Sequence, residues 1–466
     1  MLYRALRATA AVALRWYYAE VVVQGRERVP LDDPLLLIAN HPNALIDALL
    51  VGTVVSRRVM LTAKATLFES PLLASLLSWV GVVPHRRAKD EVSPGGESLP
   101  TAAMRERNRE AFRLVTSALL ERRAILVFPE GISHDDPTIA VLKSGAARMA
   151  LLAHGDGAVK LKLLPIGLVY EQKERPGSRV LVRVGEPLVL DDWISRVDAP
   201  SAGTLTAELE SRLRAVTLNF ATADRAARAL ELARSLVAIS STPLPLESPG
   251  ALDEEADVAR RVDAATTALA GASVDVIARA DAFVGRLHAV EQMLKRRGVA
   301  LADVRISPRL PSGLRFILRE AVWAIITSVV AVLGGWTHWI PLTLARRSAL
   351  HSLQADPSRD QPAMRTILLG IVCVVIWYAL VASLIAHWFG WAWAAFGLGL
   401  LFTAAHAHRA LQGRSGRVFR RARSYIALRR DPGFRSRVLL ELDHLLAEAF
   451  ALERALVDDC GAAAAP

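Results

Sequence analysis

Between residues 20 and 189 short apolar runs alternate with longer stretches of helical spacing. The runs at 21–23, 35–38, 59–61, 124–127, 163–169 and 180–184 are short and mostly aliphatic, several of them β-branched, which predicts strands. The stretches 43–55, 71–80, 105–122 and 143–154 predict helices between them. Strands alternating with helices predict an α/β domain with a central mixed sheet flanked by helices, its loop chemistry at the strand ends. Ahead of it, Leu2, Leu6, Ala10, Ala13 and Tyr17 fall on one helical face opposite Arg4, Arg7 and Arg15. An amphipathic helix over 1–19 follows, suited either to a membrane interface or to packing on its own domain. No cleavable leader is read here, because no continuous apolar stretch precedes a small-residue site.

After residue 195 the strand pattern stops. The segment 196–310 is rich in Ala, Leu, Arg and Glu, is broken by the Pro-rich stretch 240–249, and predicts a helical accessory region. From 311 to 408 the pattern becomes strongly apolar. Residues 366–386 and 389–405 carry no charge and are separated only by His387 and Trp388, which predicts a transmembrane hairpin. Residues 321–344 are also apolar, but basic residues flank both ends and Gly334-Gly335 divides them, so a re-entrant or interfacial helix pair is expected there. The remainder, 409–466, reads as a basic and then amphipathic cytoplasmic tail, with an exposed amphipathic helix over 438–457.

Composition sharpens this division. Of 466 residues 52% are hydrophobic, and the mean hydropathy of +0.29 is carried mainly by the apolar region. The net charge of +11 sits largely beside apolar spans: ten Arg against one Asp lie between 409 and 437. That placement favours an anionic membrane surface over nucleic acid and puts the flanks of the hairpin on the cytoplasmic side. Two cysteines, Cys373 and Cys460, exclude a disulfide framework or thiolate metal cluster.

Four blocks carry candidate chemistry. Asn40-His41-Pro42-Asn43-Ala44-Leu45-Ile46-Asp47 follows a strand end, with Asn43 placed to cap the next helix and Asp47 one turn along it. An Asp beside a His fixes its tautomer and stabilises the imidazolium, the arrangement of a general base. Phe128-Pro129-Glu130-Gly131-Ile132-Ser133-His134 follows another strand end and supplies a carboxylate and a close-approach glycine. Lys143 opens the helix after it, where anions are attracted. Gly81 to Arg87 ends in a pair, Arg86 and Arg87, able to hold phosphate bidentately. Pro165 interrupts an apolar strand. His85, His134, Asp135 and Asp136 fit no common metal spacing and read as surface polar residues.

In that order the four blocks resemble the glycerolipid acyltransferases, the PlsC-like enzymes, over roughly the first 190 residues. The Asn-His-Pro-Asn opening and the Phe-Pro-Glu-Gly-Ile-Ser-His block are most similar to the branch of bacterial proteins and fungal glycerol-3-phosphate acyltransferases. The family's usual block has four residues between His and Asp; five separate His41 from Asp47 here, a spacing the fungal branch shares. The resemblance implies that His41 deprotonates an acceptor hydroxyl and that Asp47 orients it. Arg86 or Arg87 would bind the acceptor phosphate, while Glu130 and Gly131 shape the glycerol site. It implies acyl-CoA or acyl carrier protein as donor, glycerol 3-phosphate or a lysophospholipid such as lysophosphatidate as acceptor, membrane lipids as surroundings, and neither cofactor nor metal. The other class is a non-catalytic membrane lipid-binding or scaffolding protein with the same fold. A serine esterase is disfavoured because no Gly-x-Ser-x-Gly elbow occurs.

Overall fold

The computed structural model describes residues 2–64, 83–85, 101–240, 252–306, 310–351 and 361–463. The chain divides into two compact units, residues 1–219 with 347–369, and residues 220–346 with 370–466.

In the first unit the expected strands form one mixed sheet. Its strands are β1 (Glu20–Gln24), β2 (Leu35–Ala39), β3 (Val59–Lys64), β4 (Val83–His85), β5 (Ala124–Val127), β6 (Lys162–Tyr170), β7 (Arg179–Val184) and β8 (Leu188–Val189). The order is β1-β7-β6-β2-β5-β3-β4, with β8 on β6. All pairs are parallel except β6 with β7 and β6 with β8. Strand β2 is apolar throughout because both faces are covered, so it shows no polar alternation. Leu36 and Ile38 enter one core cluster, with helices α3 (Thr101–Leu120) and α4 (Gly145–Gly155). Leu35, Leu37 and Ala39 enter the other, with α2 (Ala44–Val54).

Helix α1 (Leu2–Tyr17) takes the domain-packing option. Leu14 and Tyr17 are buried. Arg7 donates to the carbonyls of Thr53 and Val55 at the end of α2, and Tyr17 donates to that of Glu174. The short α5 (Leu190–Arg196) precedes α6 (Ala202–Val216), whose Leu205, Leu209 and Leu213 belong to the first sheet-side cluster. The boundary expected at 195 therefore moves: the helix that follows it covers the sheet.

The second unit is helical, with α7 (Ala223–Ser240), α8 (Leu252–Ala268), α9 (Val274–Arg296), α10 (Leu310–His351), α11 (Gln361–Phe389), α12 (Trp391–Arg430) and α13 (Pro432–Ala463); α10 and α11 each extend into the first unit's residue range. Ile239, Phe283, Leu287, Leu294, Leu428 and Leu442 share one core, so the tail helix α13 buries its apolar face instead of exposing it. Helix α10 runs unbroken through Gly334-Gly335 and Pro341, in place of the divided pair expected. The glycines serve packing: a Cβ at Gly334 would meet the Ala404 carbonyl oxygen of α12 at 1.9 Å. Among the described residues two helical segments are long and apolar enough to cross a membrane, Gly313–His351 and Ala363–Phe389. The second contains the expected arm 366–386; the arm at 389–405 forms the start of α12 and is not one of the two.

Candidate active site

Strands β2 and β5 lie side by side and parallel, so the loops leaving their carboxyl ends meet. The first carries His41 and the second Glu130. Beyond Pro42 and Asn43 the chain enters α2 through Ala44, which adopts φ +45° and donates its N–H to Ser133 Oγ at 3.0 Å. One turn on, Asp47 is fully buried and returns toward the strand end. His41 Nδ1 lies 2.9 Å from Asp47 Oδ2, so the longer spacing still closes the pair.

Asp47 is held from three sides. Asn43 N–H donates to Oδ2 at 2.7 Å and the Tyr170 hydroxyl donates to Oδ1 at 2.6 Å. With the imidazole as the third donor this is the environment of an ionised carboxylate, which accepts only. Nδ1 must then carry the proton, and Nε2 presents a lone pair with no protein partner among the described residues. Burial, and then the charge of Asp47, holds Tyr170 well above the usual phenol range, so it stays a donor. Behind it the buried Tyr18 accepts from Asn43 Nδ2 at 3.0 Å. Asn43 does not cap α2 with its side chain, as the sequence suggested; Asp47 reaches back to its N–H instead. The His41 ring stacks on Phe128, centroids 3.9 Å apart and planes at 14°.

Glu130 is 2% exposed, and both of its oxygens are engaged. Oε1 accepts the His41 backbone N–H at 2.7 Å; Oε2 accepts the Ala140 N–H at 2.7 Å and faces His134 Nε2 in a short contact. Its carboxylate thus braces the His41 loop. That hydrogen bond with Glu130 is the main reason the His134 imidazole titrates above its ordinary range. His134 is therefore not the surface residue its spacing suggested. Lys173, just past β6, donates to the carbonyls of Pro42 and His134 (the latter at 3.3 Å) and pairs with Asp135. Gly131 has φ +73°, and the Lys143 side chain lies over it, Nζ 2.6 Å from where a Cβ would stand. Lys143 is itself exposed.

The structure so brings His41, Asp47, Glu130, Gly131 and Lys143 to one end of the sheet. Arg86 and Arg87 lie outside the described residues. His134 completes the site from within the Glu130 block, whereas Tyr18, Tyr170 and Lys173 join it without any short-range signal; only the pairing of β6 with β2 brings Tyr170 and Lys173 there.

Comparison with known proteins bears on the sheet unit. Residues 20–169 match the family model described as Acyltransferase. Glycerol-3-phosphate O-acyltransferase 2 of Saccharomyces cerevisiae is 34% identical over 24% of this chain and 16% of its own length. Glycerol-3-phosphate O-acyltransferase 1 of the same yeast is 36% identical over 16% of this chain and 10% of its own. An uncharacterised acyltransferase of Schizosaccharomyces pombe is 24% identical over 38% of each chain. The chain thus spans from about a tenth to under two-fifths of these relatives' lengths. Among solved structures, the 1-acyl-sn-glycerophosphate (LPA) acyltransferase PlsC from Thermotoga maritima overlaps with a TM-score of 0.35 at 20% identity. That overlap covers 46% of this chain and 78% of that one, a likeness too distant to argue from. The match to the Acyltransferase family model thus falls within the sheet unit, on residues 20–169.

Proposed function

We propose that the chain is an O-acyltransferase that moves a fatty acyl group from a thioester donor to the hydroxyl of a glycerol phosphate acceptor at a membrane. The observation that carries it is the His41–Asp47 pair at 2.9 Å, with Nε2 left to receive a proton. His41 Nε2 takes the proton of the acceptor hydroxyl as its oxygen attacks the thioester carbonyl. The tetrahedral intermediate collapses with cleavage of the carbon–sulfur bond, and the imidazolium returns the proton to the departing thiolate. Asp47 stabilises the imidazolium between those two transfers. Lys143 and the pair Arg86 and Arg87 hold the acceptor phosphate. Glu130 acts on this reaction through the His41 backbone, because neither of its oxygens is free for a glycerol hydroxyl.

Ala363–Phe389 crosses the bilayer in this reading and the uncharged start of α12 returns beside it, while Gly313–His351 lies in the membrane without a net crossing, which keeps α9 and the end of α12 on one face. Their outward side chains support it: Ile325 is 71% exposed and Trp336 83%, which suits lipid and not water. The basic flanks support a cytoplasmic face for the acyltransferase unit.

The test is turnover by the purified protein with acyl-CoA or acyl carrier protein as donor, and glycerol 3-phosphate or lysophosphatidate as acceptor. His41→Ala is expected to lose on the order of 10²–10⁴-fold in kcat, while Lys143→Ala raises the acceptor KM with little change in the donor KM. Undiminished turnover by His41→Ala would overturn the assignment.

A further inference from the structure

In the second unit a cleft of about 490 Å³ opens between the end of α9 and the middle of α12. Leu294 and Val299 form an apolar floor, Phe419 stands at the edge with 73% of its surface exposed, and Lys295, Arg420 and Arg423 supply the charge. The Arg423 guanidinium lies over Gly298, close against the chain that ends α9.

The carboxylates around this cleft are already engaged. Glu291, at one side of it, accepts from the Ser235 hydroxyl. Asp431 pairs with Arg297 at 2.6 Å, and Asp303 pairs with Arg421 at 3.5 Å and accepts from Ser424. Lys295, Arg420 and Arg423 have no carboxylate partner among the described residues. Three exposed cations around an apolar floor with an exposed aromatic edge complement an anion that carries its own apolar part.

Depth along α12 points to the same kind of ligand. Trp388, Trp391 and Trp393 stand exposed around the turn at Gly390, as an interfacial aromatic belt does. From Trp393 the uncharged stretch runs to residue 405, Arg409, Arg414 and Arg417 follow it, and Arg420 comes roughly 40 Å along the helix, at the far headgroup level of a bilayer about 40–45 Å thick. A helix anchored by that belt on one side delivers Phe419, Arg420 and Arg423 to the polar boundary of the other. We propose that this cleft binds the phosphate headgroup of an anionic phospholipid, with Phe419 at the apolar edge of that site. The inference uses the membrane placement of α12 and is independent of the acyl-transfer chemistry.

The experiment takes the full chain in uncharged detergent micelles and titrates dihexanoyl phosphatidylglycerol, dihexanoyl phosphatidylcholine or inorganic phosphate, followed by calorimetry. Saturable binding of the anionic lipid is expected, at least tenfold tighter than of the zwitterionic one. The double variant Arg420→Gln with Arg423→Gln should weaken it at least tenfold. Arg429→Gln with Arg430→Gln, which removes equal charge farther along α12, should change it less than twofold. Circular dichroism of each variant establishes that it is folded; should the first pair fail to fold, Lys295→Gln with Phe419→Ser replaces it, with the same tenfold loss expected. Equal losses in the two pairs would mean diffuse attraction and overturn the site. Inorganic phosphate binding as tightly as the lipid would overturn the lipid as its occupant, and equal affinity for both lipids would overturn the proposal as a whole.

Discussion

Tyr170 lies 123 residues from Asp47 in sequence and 2.6 Å from it in space. Replacing it by Phe leaves a buried carboxylate oxygen without its donor, a change costing about 1–3 kcal/mol in stability. Because Asp47 aligns His41, Tyr170→Phe is expected to lower kcat on the order of tenfold while both KM values hold; an unchanged kcat would show that two donors suffice. His134 offers a pH test. Its imidazolium is stabilised by Glu130, so its folded pKa lies above the ordinary 6.5. The stability it contributes is fully present below about pH 6.5 and is lost as pH rises through the raised value. Melting curves of the wild type and His134→Gln should therefore converge as pH rises through that range, and a constant gap would refute the linkage. His41 and Asp47 were legible because a strand end and a helix start sit within eight residues of sequence. Tyr170 and Lys173 were not, since their role depends on a strand pairing that no local pattern encodes.

Among the elements, the strands from β1 to β7 other than β4 were readable from their apolar runs, and α2, α3 and α4 lie within about four residues of their expected bounds. The reading of α10 went differently for a physical reason. A glycine pair in an apolar stretch signals either a break or a close approach, and the sequence alone does not show the helix that approaches. Two substitutions separate these roles. Gly334→Ala drives a methyl into the Ala404 carbonyl and should lower the melting temperature in detergent, whereas Gly370→Ala in α11 meets nothing within 4 Å. The latter should be neutral or gain up to about 1 kcal/mol from helix propensity. Equal effects of the two would argue against a packed α10–α12 contact.

For the whole molecule, the informative departure is the edge of the sheet unit. The strand signal ends near residue 189, yet α6 supplies Leu205, Leu209 and Leu213 to the sheet-side core. Leu209→Ala, outside both the matched family region and the expected domain, should cost about 2–5 kcal/mol. Transferase activity should then disappear at the lower temperature at which this unit melts; activity surviving at the wild-type melting temperature would show that α6 is dispensable. The tail was misread for a related reason: an amphipathic pattern shows that α13 has an apolar face, not what covers it. Here α7, α9 and the end of α12 do.

The central strand also sets a schedule. His41 and Asp47 are synthesised early, but the groups that hold them come later: Glu130 after 89 residues, Tyr170 after 123 and Lys173 after 131, counted from the residues they bind. The pair is therefore expected to align only once β5 and β6 have docked on either side of β2. On the proposed mechanism, a chain that ends before β6 should not activate an acceptor hydroxyl.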